Sequence, residues 1–355
     1  MRRTQHRGAP RNDRSNTMSV IVDDAIDDLL RRTSRSFYLS LGTLPDQIRN
    51  QVGLLYLLAR VADTIADTGD DRDLLIGMLD KYSEAVQSNS NELDLNSIAD
   101  LQENHHEGDL LRSVSKVISA FACAEEGDRQ MILRCLLVII SGQRLDIERF
   151  GTKSSEIIAL KSDEELDDYA YRVAGSVGEF WTEISLRRLI ESEEIETERM
   201  RVLGIRFGKA LQMINILRDI PSDLSIGRCY LPMNRLLEYD LDPSDLLNPD
   251  SMGTFRALYS AYLDITCDHL DHAEEYISII PREYRSLRLS CMLPVVIGRR
   301  TIALLRGKNV LNPVNQIKIS RRRVAMILFQ CKLAVRSKWY EKRLISSGRM
   351  FSTRE

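Results

Sequence analysis

The stretch LYLLARVADTIAD, residues 55–67, decides how this chain folds and where its chemistry lies. Leu54, Leu55, Leu57, Leu58 and Val61 recur with the period of a helix, not the alternation of a strand. Tyr56, Arg60, Asp63 and Asp67 are spaced four, three and four, so one side of that helix carries a phenol, a guanidinium and two carboxylates. Carboxylates one turn apart lie within roughly 5–6 Å and repel unless a cation sits between them. Hard oxygen ligands so arranged suit Mg2+, which takes a few carboxylates and leaves its other positions to water and phosphate oxygens. The plainer alternative is a solvated face with an Arg–Asp ion pair. Burying such groups without partners would cost several kcal/mol each.

A second pair, Asp219/Asp223, repeats the four-residue spacing beside Arg218. Gly204, Gly208, Gln212, Asn215 and Asp219 again step by four and three along one face. Glycine inside a helix costs on the order of 0.5–1 kcal/mol against alanine, so something approaches this backbone closely, either a packed helix or an extended ligand chain. Pro221 lies between the two aspartates and is expected to loosen or end the helix there. The segment Gly227-Arg228-Cys229-Tyr230-Leu231-Pro232 reads as a loop that returns Arg228 and Tyr230 toward the acidic residues, and arginine's planar fork suits phosphate oxygens. In YAYRVAGSVG (169–178), Tyr171, Gly175 and Gly178 share a face, which fits either tight helix packing or the wall of an apolar tunnel. A tyrosine at such a wall can move a proton or steady a cation through its ring face.

The rest of the chain agrees with an all-α protein. Of 355 residues, 43% are hydrophobic and 28% charged, while 9 prolines and 18 glycines are few, and alternating strand patterns are hard to find. A net charge of −3 gives no argument for nucleic-acid binding. The six cysteines include no CxxC pair, which favours reduced thiols and a cytoplasmic setting. No apolar run approaches the roughly 18–20 residues of a membrane-spanning helix. Helices are expected at 19–33, from Pro45 through Asp67, and at 71–87, 107–122, 127–149, 163–190 and 197–220. Three more follow at 252–278, 283–306 and 320–343, with connections at 88–106 and 221–250. Without an internal repeat or a linker, residues 19–345 form one helical domain between a basic tail (1–18) and a C-terminal tail (346–355). The tail holds Arg2, Arg3, Arg7, Arg11 and Arg14 but no apolar core of a signal peptide, and Met18 is an alternative start.

Taken together, these residues resemble the squalene/phytoene synthase family of head-to-head prenyl transferases. The resemblance runs from about residue 30 to 335 and rests on Ser34-Arg35-Ser36-Phe37, LYLLARVADTIAD, YAYRVAGSVG and QMINILRDIPSDLSIGRCYLP (212–232). LRLSCMLPVVIGRRTIALL (287–305) and KISRRRVAMIL (318–328) also look like the family. Its pattern usually has Glu where this chain has Ser222, so one acid of the second motif is missing. The resemblance implies an isoprenoid-synthase-type helical bundle around a central cavity. In it, Mg2+ would bridge Asp63, Asp67, Asp219 and Asp223 to the diphosphates of the prenyl diphosphate substrate. Ser34, Arg35, Arg60, Gln212, Asn215, Arg218 and Arg228 would bind those diphosphates, and Tyr56 and Tyr169 match family tyrosines near the reacting carbons. One prenyl diphosphate would ionise, the double bond of a second would attack to form a cyclopropyl intermediate, and a second ionisation with rearrangement would give a linear product.

The combination of ADTIADT with DLSIGRCYLP looks nearest to bacterial squalene synthases, which implies squalene from two farnesyl diphosphates with hydride from NADPH. No GxGxxG fingerprint for that cofactor is present, and a helical cavity has no need of one. The alternatives are phytoene or dehydrosqualene, formed without reduction, or a non-catalytic family member acting in assembly or lipid binding. His269 and His272, three residues apart, resemble a metal pair but read better as the polar face of an amphipathic helix, since no second cluster completes a zinc site. The C-terminal helix, with nine Lys/Arg and one acid between Lys318 and Arg343, suits either ordinary packing or peripheral contact with an anionic membrane. Nothing in the sequence sets the oligomeric state.

Overall fold

A computed structural model describes residues 23–34, 38, 41–69, 71–151, 156–190, 196–315 and 317–346. The basic tail, Arg35, Ser36, Phe37 and residues 347–355 lie outside the described residues. The first half comprises α1 (Asp24–Ser34), α2 (Asp46–Ala66), α3 (Arg72–Ser88), the short α4 (Asn96–Ala99), α5 (His105–Arg112), α6 (Val114–Ala122) and α7 (Glu126–Phe150). After strand β1 (Ile158–Leu160), α8 (Asp163–Ala170) runs through a π-helical turn (Tyr171–Gly175) into α9 (Ser176–Arg188). Then come α10 (Thr197–Leu224), strand β2 (Arg228–Pro232), the short α11 (Met233–Leu237), α12 (Met252–Ile279), α13 (Arg285–Arg306), α14 (Arg321–Ala334) and α15 (Lys338–Ser346).

The apolar periodicity produces these helices largely where expected, and the departures have local causes. The stretch 107–122 divides at Ser113 into α5 and α6, and 320–343 divides at Val335–Ser337 into α14 and α15. Both breaks fall where apolar spacing continues, so the pattern alone does not announce them. The irregular stretch after Pro221 contains β2, which pairs in parallel with β1: Ile158 stands opposite Arg228 and Ala159 opposite Cys229. This two-stranded ladder, with Gly227 at φ +83°, turns Arg228 and Tyr230 back against α7.

Pro221 does not end its helix. It cannot donate to the Leu217 carbonyl, four residues back. The buried hydroxyl of Tyr259, on α12, donates to that carbonyl at 3.0 Å instead. With the orphan acceptor satisfied from outside, α10 continues to Leu224 and keeps Asp219 and Asp223 on one helix. The first pair meets the opposite situation. α2 ends at Ala66, Asp67 is its C-cap, and the Asp67 N–H donates to the Asp63 carbonyl at 3.0 Å.

The interior has two apolar clusters. One gathers around α2, α3, α6, α7 and α9. The other lies around the C-terminal half of α10 with α12 and β2. α10 belongs to both, and packs against α9 on one side and α12 on the other. Buried ion pairs fasten the periphery. Asp128, fully buried on α7, takes N–H groups from Arg187 and Arg188 at the end of α9. Glu341 on α15 pairs with buried Arg288 of α13. Among the described residues, no helix is long and apolar enough to cross a membrane.

Tyr259→Phe removes the hydroxyl that compensates for Pro221 and leaves a buried carbonyl unpaired. It should destabilise the fold by about 1–3 kcal/mol in denaturant unfolding. Adding Pro221→Ala restores an N–H within reach and should recover most of that loss; equal loss in the single and double variants would rule out this compensation.

Candidate active site

Three elements bring carboxylates to one place: the end of α2 (Asp63, Asp67), the last third of α7 (Asp146), and the end of α10 (Asp219, Asp223). The charge joining them comes from β2. Arg228 donates to Asp146 at 3.2 Å, and its positive charge lowers the proton affinity of Asp67, Asp146 and Asp223 alike. It lines a recess of about 60 Å³ with Asp67 and Gly69, and a smaller one with Asp223 and Tyr230.

Burial nevertheless outweighs neutralisation. Desolvation, reinforced by Asp67, pushes Asp63 up to about 6 although Arg60 opposes it. Asp67 is raised chiefly by the protein around it, against the pull of Arg228 and Arg60. Desolvation and then the Asp219 charge push Asp223 up to about 7. Asp67 keeps an exposed surface, and Asp63 and Asp223 are half-buried, so these carboxylates still meet solvent and are short of positive charge.

Arg60 forms an ion pair with Glu107 on α5, which also accepts from Asn104 at 3.0 Å. Arg218 forks onto both oxygens of its neighbour Asp219, at 2.8 and 2.5 Å. Tyr56 donates to the Thr33 carbonyl at 3.3 Å, tying α2 to α1. Tyr169 is buried and stacks on Tyr230, with ring centroids 4.6 Å apart and 23° between the planes. Burial lifts both phenols well above their ordinary pKa. Ser34 is buried and gives its hydroxyl to the Leu30 carbonyl of its own helix. On α10, Gln212 is half-buried and Asn215 exposed. Arg35 falls outside the described residues. His269 accepts from Arg206 at 3.2 Å, and burial, then the Arg206 charge, hold it down to about 4. His272 turns to the Asp268 carbonyl.

Three participants are absent from the sequence motifs: Asp146, Gln143 and Glu107. Gln143 donates to Asp63 at 2.5 Å, and Asp146 accepts the Tyr230 hydroxyl at 2.6 Å. A signal was present. Ile139, Gln143, Asp146 and Phe150 step by four, three and four along α7, the same spacing as the stripe on α2. Two polar residues on an apolar stripe mark an inward-facing polar group as clearly here as there.

The glycine question also resolves. A Cβ on Gly178 would stand 1.9 Å from the Gly204 carbonyl oxygen, and one on Gly208 would stand 2.0 Å from that of Ala174. No side chain fits, so α9 and α10 cross with their backbones in contact. The same residues line a cavity of about 300 Å³, shared with Trp181, Tyr276 and Cys291. Leu41 and Leu44 also line it, and their loop is held to α13 by a 3.1 Å hydrogen bond between Thr43 and Ser290. The walls are almost wholly apolar. An acidic, cation-deficient recess and an apolar cavity thus share α10.

The donor set fits a hard divalent cation: all four motif groups are carboxylates, and those with raised pKa lack enough positive charge. Among the described residues, no three His, Cys, Asp or Glu side chains converge closely enough to hold a metal by themselves. An ion held here by one or two of the carboxylates would need water and phosphate oxygens to complete its shell.

Residues 30–323 match the family model described as squalene/phytoene synthase. The chain belongs to the squalene/phytoene synthase family. Its relatives include bifunctional lycopene cyclase/phytoene synthases of Phaeosphaeria nodorum, 30% identical over 276 residues, and of Gibberella fujikuroi, 31% identical over 283. Each alignment covers 76% of this chain but only 44% and 46% of those proteins, so the chain spans less than half their length. Among solved structures, the complex of TcSQS with the ligand E5700 superposes with a TM-score of 0.77 at 19% identity, covering 92% of this chain and 90% of that one. A dehydrosqualene synthase in complex with a ligand gives 0.62 at 21%, covering 88% and 96%. These likenesses are of fold, and they agree with the helical architecture expected from the sequence.

Because Asp223 is raised in the fold, ionising it works against folding in the metal-free protein. Its contribution is favourable at low pH and is lost as pH climbs from the ordinary carboxylate range through about 7. Asp223→Asn should therefore gain thermal stability relative to the parent between pH 5 and 8. A stability difference that stays flat over that range would contradict the assignment.

Proposed function

We propose that the chain joins two C20 prenyl diphosphates head to head into phytoene, releasing two diphosphates without a reductive step. The observation that carries the prenyl diphosphate reading is Arg228, whose charge acts on carboxylates of α2, α7 and α10, while the same α10 lines an apolar cavity earlier along its length. Diphosphate needs cationic and hydrogen-bonding partners, a prenyl chain needs apolar walls, and α10 carries both.

The sequence expectation of squalene, with farnesyl diphosphate as substrate and NADPH as hydride donor, gives way to its alternative. The relatives at 30–31% identity are named for phytoene synthase, and that favours the non-reductive product. In the first half-reaction the C–O bond of one substrate breaks, and diphosphate leaves with the electron pair. The double bond of the second substrate attacks the allylic cation, and a proton is lost to give a cyclopropyl diphosphate. In the second half, the remaining diphosphate leaves, the skeleton rearranges, and loss of another proton gives the linear polyene.

Asp63, Asp67, Asp219 and Asp223 would hold Mg2+, which when bound supplies positive charge for the departing diphosphate. Arg228 offers further donors to the same oxygens. Arg218 and Arg60, paired here with Asp219 and Glu107, are the further guanidinium groups that would turn to phosphate oxygens. The walls around Gly178, Trp181 and Phe207 exclude water that would quench the cation. Tyr169, fixed by its stack on Tyr230, presents an electron-rich ring to positive charge.

The test is product analysis by mass on C15 and C20 diphosphates with Mg2+, each with and without NADPH. A C40 product from the C20 substrate, indifferent to NADPH, is expected. Squalene formed only with NADPH would restore the earlier expectation, and no diphosphate release at all would favour a non-catalytic role. In the same assay Asp63→Asn should abolish turnover while leaving helical content unchanged.

We also propose that the C-terminal helices rest on an anionic lipid surface. Met326, Phe329 and Leu333 form an exposed apolar row on α14, and Trp339 of α15 is 68% exposed beneath Arg343. Glu341, the sole acid between Lys318 and Arg343, is turned inward onto Arg288, so the charged side chains this segment turns outward are basic. Such a face suits anionic headgroups, and the expected product is a hydrocarbon that needs a lipid phase. The protein should co-sediment with vesicles containing phosphatidylglycerol, less so at high salt, and Phe329→Glu with Trp339→Glu should weaken this several-fold. Indifference to lipid charge and to both substitutions would overturn the proposal.

A further inference from the structure

Asp146 lies in none of the sequence motifs and is 3% exposed. One of its oxygens, Oδ2, accepts both the Tyr230 hydroxyl at 2.6 Å and an Arg228 N–H at 3.2 Å. The other, Oδ1, is buried with no hydrogen-bond partner among the described residues. A buried carboxylate left half-satisfied is costly, so its retention calls for a function.

We propose that Asp146 is a positioning residue for diphosphate: from α7 it fixes Arg228 and Tyr230 on β2 and, through the stacked rings, Tyr169 on α8. The inference rests on the prenyl diphosphate reading and deepens it. Arginine has a long, flexible stem, and Arg228 has competing acceptors close by in Asp67 and Asp223. A guanidinium collapsed onto either would cover the metal-binding carboxylates it should leave open. An acceptor behind it, on a rigid helix, holds one edge of the fork and leaves the remaining N–H groups toward the recess it shares with Asp67 and Gly69. Tyr230, tethered to the same oxygen and packed edge-on by Phe150 at 5.2 Å, then sets the plane on which Tyr169 lies at 4.6 Å. One carboxylate oxygen thus orients a phosphate donor and, through Tyr230, the ring of Tyr169.

The competing account is that Asp146 merely balances charge, and the two accounts predict opposite signs. Removing a negative charge from the edge of an anion site strengthens anion binding by Coulomb's law. Removing the tether of the main donor weakens it. Calorimetric titration of inorganic diphosphate with Mg2+, on the full chain and on Asp146→Asn, separates them.

The expected result is a loss of affinity of about tenfold to a hundredfold, the scale of a charge-assisted hydrogen bond, with kcat falling more than KM rises. Tyr230→Phe keeps the stack and deletes one of the two hydrogen bonds. It should lose a smaller factor, about threefold to tenfold, and it carries the test if Asp146→Asn does not fold. Unchanged or tighter diphosphate binding in a folded Asp146→Asn, or unchanged binding in Tyr230→Phe, would overturn the inference while leaving the enzyme reading intact. A folded parent protein that binds no diphosphate would sink that reading, and this inference with it.

Discussion

The charge of Arg228 is what allows the acidic elements of this protein to meet. Asp67, Asp146 and Asp223 come from three helices, and all three feel the one guanidinium. Without it, three carboxylates in a partly desolvated recess would have to protonate or move apart. One arginine still falls short, and burial leaves Asp63 and Asp223 near 6 and 7. The fold therefore stabilises the acids enough to assemble them but not enough to satisfy them. A recess with unmet demand for positive charge is suited to a divalent cation that arrives with its own phosphate ligands.

The apolar half of the site follows from a steric constraint. α9 and α10 cross at Gly178, Gly204 and Gly208 with no room for a Cβ. The hydroxyl of buried Thr182 at this crossing is spent on the Gly178 carbonyl and on Tyr276, so the surface offered to the cavity is glycine Cα and the flanking Trp181 and Phe207. α10 then continues, without a break at Pro221, to carry Asp219 and Asp223. A single helix joins the surface that suits a hydrocarbon chain to the charges that suit its diphosphate. The separation between the apolar and the acidic surface is thereby set by rigid secondary structure instead of a loop.

The helices and the two acidic stripes were legible in the sequence because both are written in local spacing. What was not legible depends on partners distant along the chain. Asp146 and Gln143 follow the same four-three-four step as Tyr56, Arg60, Asp63 and Asp67, but their stripe holds two polar groups in place of four, with no second carboxylate one turn from Asp146. Glu107 claims Arg60 from another helix, and no spacing reveals it. Two short strands escaped notice because three to five residues hold too little pattern to separate strand from loop. The expectation that Pro221 would loosen or end its helix used the right local rule and lacked Tyr259, whose hydroxyl replaces the missing donor from α12.

That compensation bears on Ser222, the residue standing where the family pattern usually has an acid. Its hydroxyl donates to the Asp219 carbonyl at 2.8 Å, so it serves the backbone of the same turn. A carboxylate at 222 would add a like charge between two aspartates, the second of which Asp219 already pushes upward. Ser222 lowers the negative charge of this turn and leaves Asp219 and Asp223 as the acids α10 offers there. The second motif is thereby weaker in charge than the family pattern but fully helical in geometry. The first has its full charge, with Asp67 on the frayed end of α2. The two halves differ in which quantity is preserved, and Arg228, bonded to neither pair directly but to Asp146 between them, is placed to serve both.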